Sequence, residues 1–454
     1  MTTTPIRPKD RETIIQSLRA GVAPQRGHQF IQVGRKRELE SLVKDLERVS
    51  DGGATIRFII GSFGSGKTFF LGLVRSIAQE RKLVTAHADL TPDRRLQATT
   101  GQARHLYAEL MRNLATRAKP DGNALSAVVE RFVTTALSAA SDRGVEPALL
   151  IRERMASLSE MVGGYDFAQV IECYWRGHDS GDEQLKANAV RWLRAEFTTK
   201  TEARKALGVR AIIDDESVYD HLKLMSRFVR LAGFSGLVVC LDELVNLYKL
   251  SNTTARMTNY EQILRILNDT LQGSSEGLGI LLGGTPEFLT DTRRGLYSYE
   301  ALQSRLAENT YARDGREDIS GPVIRLASLT PEDLYVLLLK LRHVHACGDE
   351  SKYLVPDTAL RSFLEHCSSR IGDAYFRTPR NTIKEFLHLL AILEQHPGTR
   401  WESLFEHLDL SEPRNPDLEP LPEDADAEDS RAPTGDASGN LSRKADDDLT
   451  SFKL

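Results

Sequence analysis

Eight consecutive residues carry the strongest chemical signal in the chain: Gly61, Ser62, Phe63, Gly64, Ser65, Gly66, Lys67 and Thr68. They fit G-x-x-x-x-G-K-[ST] and lie between an apolar run and a helical pattern, the setting that a phosphate-cradling loop needs. Glycines let backbone N–H groups converge on phosphate oxygens without Cβ clashes. A helix N-terminus adds partial positive charge there. Lys67 would reach the β- and γ-phosphates of a nucleoside triphosphate, and the Thr68 hydroxyl would ligate Mg²⁺. The bland alternative is a chance glycine-rich turn. The strand, the helix and the Lys-Thr pair together argue against it.

A second signal is the run Gly236-Leu237-Val238-Val239-Cys240-Leu241-Asp242-Glu243. An apolar strand here ends in adjacent acids, at the edge where parallel sheets bind their ligands. Asp242 would hold Mg²⁺ through its water shell. Glu243 would polarise an attacking water as general base. The competing reading places both acids in the first turn of a following helix, where acids are favoured in any case. Alone this motif is weak, and beside the loop it is strong.

Three further side chains are candidates. Thr285, in Gly283-Gly284-Thr285-Pro286, follows a neighbouring strand and could sense the γ-phosphate or the lytic water; otherwise it caps the next helix. Arg305, and after it Arg294, could project to the γ-phosphate of a neighbouring subunit, a role suited to a fixed charge with fork geometry. Most arginines instead make surface salt bridges. Arg380, in Arg377-Thr378-Pro379-Arg380-Asn381, starts a helix and could fold onto nucleotide phosphates. A cation is unfavourable at that pole unless an anion is near, which weakens the reading of a merely solvated helix start.

The elements that must position these residues are legible from periodicity. Ile14, Ile15 and Leu18 mark a first helix, stopped by Gly21 and Pro24. A second follows Gly34, with Leu39, Leu42, Val43, Leu46 and Val49 on one face. Ile56–Ile60 suits a buried parallel strand, apolar apart from Arg57, and Leu83–Ala88 is a second. Leu237–Leu241, Leu278–Leu282 and Val323–Leu326 complete five. Lys67 and Asp242 are 175 residues apart. Two successive βαβ steps need only about 60 residues. Roughly a hundred residues of helix are therefore inserted, over about 100–233, as a subfamily-specific surface or as plain scaffold. From Thr330-Pro331-Glu332-Asp333, a good helix start, the pattern turns helical again, with further helices around Asp357–Ser369 and Pro379–Glu394.

The expected fold is α/β: a parallel-sheet core with a large helical insertion, a small helical lid domain and a disordered acidic tail. The boundaries fall at 1–50 for the N-terminal helices, 51–329 for the nucleotide-binding core, 330–410 for the lid and 411–454 for the tail. The 454 residues carry a formal charge of −5, of which the tail supplies −7, so the body is about +2. That balance argues neither for nor against nucleic-acid contact. No apolar run approaches the length of a membrane span, and the N-terminus has no signal-like apolar region, so cytoplasm is expected. The four cysteines form no CxxC pair and read as core residues. His343, His345 and Cys347 would share one face on a strand, but they continue a helical pattern, which disfavours metal binding.

Together the motifs resemble those of AAA+ ATPases. Val33-Gly34-Arg35-Lys36-Arg37-Glu38-Leu39 resembles the adenine-proximal box of the origin-recognition branch. The resemblance implies nucleotide contacts from Gly34, Arg35, the loop from Gly61 to Thr68, Phe69 and Arg380, with ATP and Mg²⁺ as cofactors. It makes Thr285 the first sensor, Arg305 the arginine finger and Arg380 the second sensor. Further segments, Ser17–Gly27, Gly283–Phe288 and Arg293–Leu302, resemble the ATP-binding BrxD proteins of BREX-type phage defence. That resemblance implies a homo-oligomer working beside a helicase, a methylase and other defence proteins. No winged helix fits after the lid, so DNA contact is expected to be weak and sequence-independent.

Two function classes compete. One is an oligomeric ATPase that remodels a DNA-associated complex. The other is a nucleotide-dependent switch or scaffold with negligible turnover. Glu243 and a usable finger favour turnover. A small-molecule kinase is disfavoured by the sensor and lid set, and a helicase by the lack of a second motor domain.

Overall fold

In the computed structural model, residues 6–312, 318–371 and 379–405 are described, the side chains of 368–371 excepted. The expected disordered tail lies outside these residues, as do Arg377 and Thr378.

Among the described residues, five strands form one parallel sheet: β1 (Thr55–Ile60), β2 (Val84–Asp89), β3 (Leu237–Asp242), β4 (Leu278–Gly284) and β5 (Val323–Arg325). Their order is β2-β3-β4-β1-β5. The fold is α/β, as the buried apolar runs predict. Arg57, the polar exception in β1, is only 6% exposed. Its guanidinium donates to both oxygens of Asp45, at 2.6 and 3.1 Å, and to the Ser320 carbonyl at 2.9 Å. A buried charge is tolerated when paired and hydrogen-bonded in this way.

The two faces of the sheet have different covers. On one face, Ile59, Val238, Cys240 and Leu281 pack against the helices Lys36–Ser50 and Lys67–Glu80 through Leu42, Leu46, Val49, Phe70 and Val74. Burial there pushes the Cys240 thiol up to about 12, which keeps it an inert core group. On the other face, Phe58, Ala86, Val239 and Ile280 join a cluster that includes Tyr260 and Ile263 of the helix Thr253–Leu271. The same cluster runs on into the insertion, through Phe132, Phe167, Trp192 and Phe228. Seven helices between Gln102 and Leu231 build that insertion. It shares its core with the sheet.

A separate apolar cluster joins the two ends of the described chain. Ile14, Ile15 and Leu18 of the helix Pro8–Arg19, with Ile31, pack against Leu334, Leu338 and Leu341 of the helix Pro331–His345. Phe386 and Leu390 of the helix Pro379–Gln395 complete it. Arg11 ties the same ends by polar contacts. It donates to the His345 carbonyl and to the Glu394 carboxylate, each at 2.8 Å. The helix after Thr330 starts as its sequence predicts. Thr330 Oγ1 accepts from the Asp333 N–H, the Asp333 carboxylate accepts from the Thr330 N–H, and Pro331 sits at the first position. Among the described residues, no helix is long and apolar enough to cross a membrane.

Candidate functional site

The parallel order sets the ends of β3, β4 and β1 side by side. The loop Gly61–Gly66 leaves β1 there and runs into the helix Lys67–Glu80. Thr68 Oγ1 donates to Asp242 Oδ2 at 2.7 Å, so the two motifs meet across the sheet edge. Asp242 Oδ1 accepts the Glu243 N–H at 2.9 Å, which fixes the carboxylate from its other side. Gly283 on β4 makes room for it: a Cβ at that position would fall on Asp242 Oδ1. Lys67 Nζ lies over the loop, donating to the carbonyls of Gly61 at 2.8 Å and Ser62 at 3.2 Å.

The helix-start reading of the acid pair does not describe this geometry. Asp242 is the last residue of β3, and the next helix spans Val245–Tyr248. Glu243 has φ +58°, a left-handed conformation that is costly for a residue with a Cβ. Strain of this kind clusters at functional sites. The Glu243 side chain is exposed and lines the cleft over the loop.

That cleft has a volume of about 200 Å³. Lys67, Thr68, Phe69 and the loop residues Phe63 to Gly66 form its floor. Gly34 and Arg35 form one wall. Arg35 also has positive φ, +55°. Its guanidinium donates to the Ser65 carbonyl and stands 6.0 Å from the Phe70 ring centroid, and burial lowers its pKa. Arg380 also lines the cleft, with its guanidinium 5.5 Å from the Phe63 ring centroid. The cleft suits a phosphate-bearing ligand on its own terms. Ser65 Oγ is buried yet makes no hydrogen bond, and neither does Arg35 Nε. A buried polar atom without a partner is costly, and an incoming anion with its waters would supply one.

The other expected side chains stand elsewhere. Thr285 is buried, and its hydroxyl accepts from the Phe288 N–H at 3.4 Å, capping the helix Pro286–Thr290. Arg305, exposed on the helix Glu300–Leu306, donates to Asn268 Oδ1 at 3.0 Å and to the Ala301 carbonyl at 2.8 Å. Arg294 donates to the Leu250 carbonyl at 3.1 Å and lies 5.9 Å from the Tyr248 ring centroid. None of these three lines the cleft. The His343–Cys347 stretch is helical up to His345, as expected. His343 Nδ1 pairs with the Tyr353 hydroxyl at 2.9 Å, while His345 Nε2 faces Arg11 and Glu394.

Two features escaped the sequence reading. One is the N-terminal segment: Leu18, Gly21, Val22 and Ala23 line the cleft. The helix stop at Gly21 and the family resemblance of Ser17–Gly27 marked this segment without placing it at the cleft. The other is Asp89, register partner of Asp242 across β2 and β3. Burial, and then the facing Asp242 carboxylate, push its pKa up. Ending the second strand at Ala88 rather than Asp89 hid it.

No curated protein matches the chain. Its match to the BREX system ATP-binding protein family BrxC/D runs over residues 6–409 and takes in both motifs and the residues that line the cleft, and the chain belongs to that family.

Proposed function

We propose that this ATP-binding protein hydrolyses ATP at the cleft over Gly61–Thr68, working as a homo-oligomer on a DNA-associated complex of the defence system. The observation that carries the proposal is the 2.7 Å hydrogen bond from Thr68 to Asp242, with Glu243 beside it on the cleft. Thr68 and Asp242 are the pair that would hold Mg²⁺, which when bound neutralises charge on the β- and γ-phosphates. Gly61, Ser62, Phe63, Gly64, Ser65 and Gly66 present backbone N–H groups to the phosphates. Lys67 leaves the carbonyls of Gly61 and Ser62 for the phosphate oxygens. Gly34, Arg35 and Phe69 flank the nucleotide. Glu243 takes a proton from water, the water oxygen bonds to the γ-phosphorus, and the bond to the β–γ bridging oxygen breaks to leave ADP and phosphate.

In the same reading the helices after Thr330 act as the lid, with Arg380 as its sensor, and Thr285 and Arg305 serve as first sensor and trans finger. A helicase is the kind of partner that fits this role. A second reading, a nucleotide switch with negligible turnover, is favoured by one observation: Arg305 spends its donors on its own subunit. Glu243→Gln separates the two. The amide keeps the shape and loses the basicity, and a general base contributes roughly 10²–10⁴-fold. Under the hydrolase reading the variant binds ATP with wild-type affinity and turns over slower by about that factor. Equal turnover in both proteins would remove Glu243 from the chemistry, and negligible turnover in the wild type would favour the switch.

A further inference from the structure

Gly21 stands against Arg380, which lines the cleft. It ends the helix Pro8–Arg19 in a left-handed turn, with φ +72°. The Val22 N–H donates to the Ser17 carbonyl at 2.9 Å and the Gly21 N–H to the Leu18 carbonyl at 3.0 Å. This pair of bonds is the Schellman cap, and it accounts for the positive φ. It does not account for what lies beside the glycine. A Cβ at position 21 would stand 2.8 Å from Arg380 Nε, 3.1 Å from Nη2 and 3.3 Å from Cζ. On its other side the same guanidinium faces the Phe63 ring of the loop, 5.5 Å away. Arg380, an exposed residue, thus places its guanidinium between the N-terminal segment and the phosphate-binding loop.

The placement is directed. Arg380 is the second residue of the helix Pro379–Gln395, where the helix dipole disfavours a cation unless an anion is near. The N-terminal helix cannot drift away from it, because Ile14, Ile15 and Leu18 share an apolar cluster with Phe386 and Leu390 of that same helix. The Phe63 ring and the absence of a side chain at 21 together leave room for the guanidinium where it stands, and that place borders the cleft.

We propose that Gly21 is a positioning residue for Arg380, and that through Arg380 it sets how strongly the cleft distinguishes a nucleoside triphosphate from a diphosphate. The inference rests on the proposed role of Arg380 toward the terminal phosphate. A side chain at 21 occupies the guanidinium's place and moves the charge off the line to that phosphate.

The experiment is a two-by-two set in the full-length chain: wild type, Gly21→Asn, Arg380→Ala and the double variant. Asn tolerates the left-handed conformation, so the helix cap survives. Dissociation constants for ATP and ADP are titrated for each, and melting temperatures follow the fold. A charge-assisted hydrogen bond to the terminal phosphate is worth about tenfold or more in affinity. Gly21→Asn should therefore cut the preference for ATP over ADP by about tenfold in the wild-type background, and should change nothing further once Arg380 is Ala. A merely structural role for Gly21 would lower the melting temperature and weaken both nucleotides alike. If Gly21→Asn is too unstable to titrate, Gly21→Ala, which adds only the Cβ at issue, is measured in the same way. A preference unmoved by either Gly21 variant, while Arg380→Ala moves it, overturns this inference and leaves the reading of Arg380 standing. An equal loss in both Arg380 backgrounds also overturns it. A preference that Arg380→Ala itself leaves intact removes both.

Discussion

Lys67 and His28 show how differently single side chains depend on what surrounds them. Lys67 lies on the loop, donating to the carbonyls of Gly61 and Ser62, and little of the fold rests on it. Lys67→Ala should abolish measurable ATP binding and turnover while shifting the melting temperature little, because no core contact is lost. Turnover at the wild-type rate would sink the assignment of this loop. His28 is the opposite case. It is 2% exposed, its ring stands 5.1 Å from that of Phe69, and burial, helped by Arg75, lowers its pKa to about 4. The unfolded chain takes up a proton near pH 6.5 that folded His28 refuses until about pH 4. Its contribution is therefore fully present above pH 6.5 and is lost as the pH falls toward 4, by about 3 kcal/mol at most. The melting temperature should fall on acidification through that window, and His28→Asn should flatten the fall. An unchanged slope in the variant would exclude His28 as the source. The meeting of Thr68 with Asp242 could be suspected without the structure, whereas the left-handed conformation of Glu243 could not. A loop and an acid pair of these types, each at the end of an apolar run, belong together in a parallel sheet. The engagement of Arg305 with Asn268 was beyond reach, because residue type says what an arginine can do and not which oxygen is nearest.

Among the elements, the helix Lys200–Leu207 of the insertion carries three exposed cations, Lys200, Arg204 and Lys205. The sequence offered six: Arg191, Arg194, Lys200, Arg204, Lys205 and Arg210. Arg191 is used up by Glu202 at 3.1 Å and by the ring of Phe197, and Arg194 is half-buried. Lys200, Arg204 and Lys205 are exposed, and Arg210 lies exposed over Tyr165 at 4.9 Å. Four cations on a surface can neutralise phosphates without reading bases. The expectation is weak, sequence-independent binding to duplex DNA that falls steeply between about 50 and 200 mM salt. Neutralising Lys200, Arg204 and Lys205 to Gln should abolish most of it in an anisotropy titration. Tight, sequence-selective binding that survives salt would mean that another element reads DNA. The periodicity of the insertion was legible because each helix carries an apolar face. The sharing of that core with one side of the sheet was not, since a stripe of apolar residues does not name its cover.

For the whole molecule the open matter is whether one subunit completes another's site. Arg305 is exposed and lies outside the cleft of its own chain, as a side chain acting in trans must be. If it acts in trans, Arg305→Ala should lose most ATPase activity. Mixing it with Lys67→Ala subunits should then restore a part, because some interfaces pair an intact loop with an intact arginine. Full activity of Arg305→Ala alone would place the trans group elsewhere. Arg294 is the next to test, although it is half-buried where Arg305 is exposed.

The apolar cluster that joins Ile14, Ile15 and Leu18 to Phe386 and Leu390 also imposes an order of events on synthesis. The helix Pro8–Arg19 is made long before the helices it packs against. Arg11 meets residues 334 and 383 positions further along the chain. Contacts of such separation form late, because loop closure must precede them. Until the helices Pro331–His345 and Pro379–Gln395 are made, the helix Pro8–Arg19 lacks most of the cover for its apolar face, and exposed apolar surface of that kind is what chaperones protect.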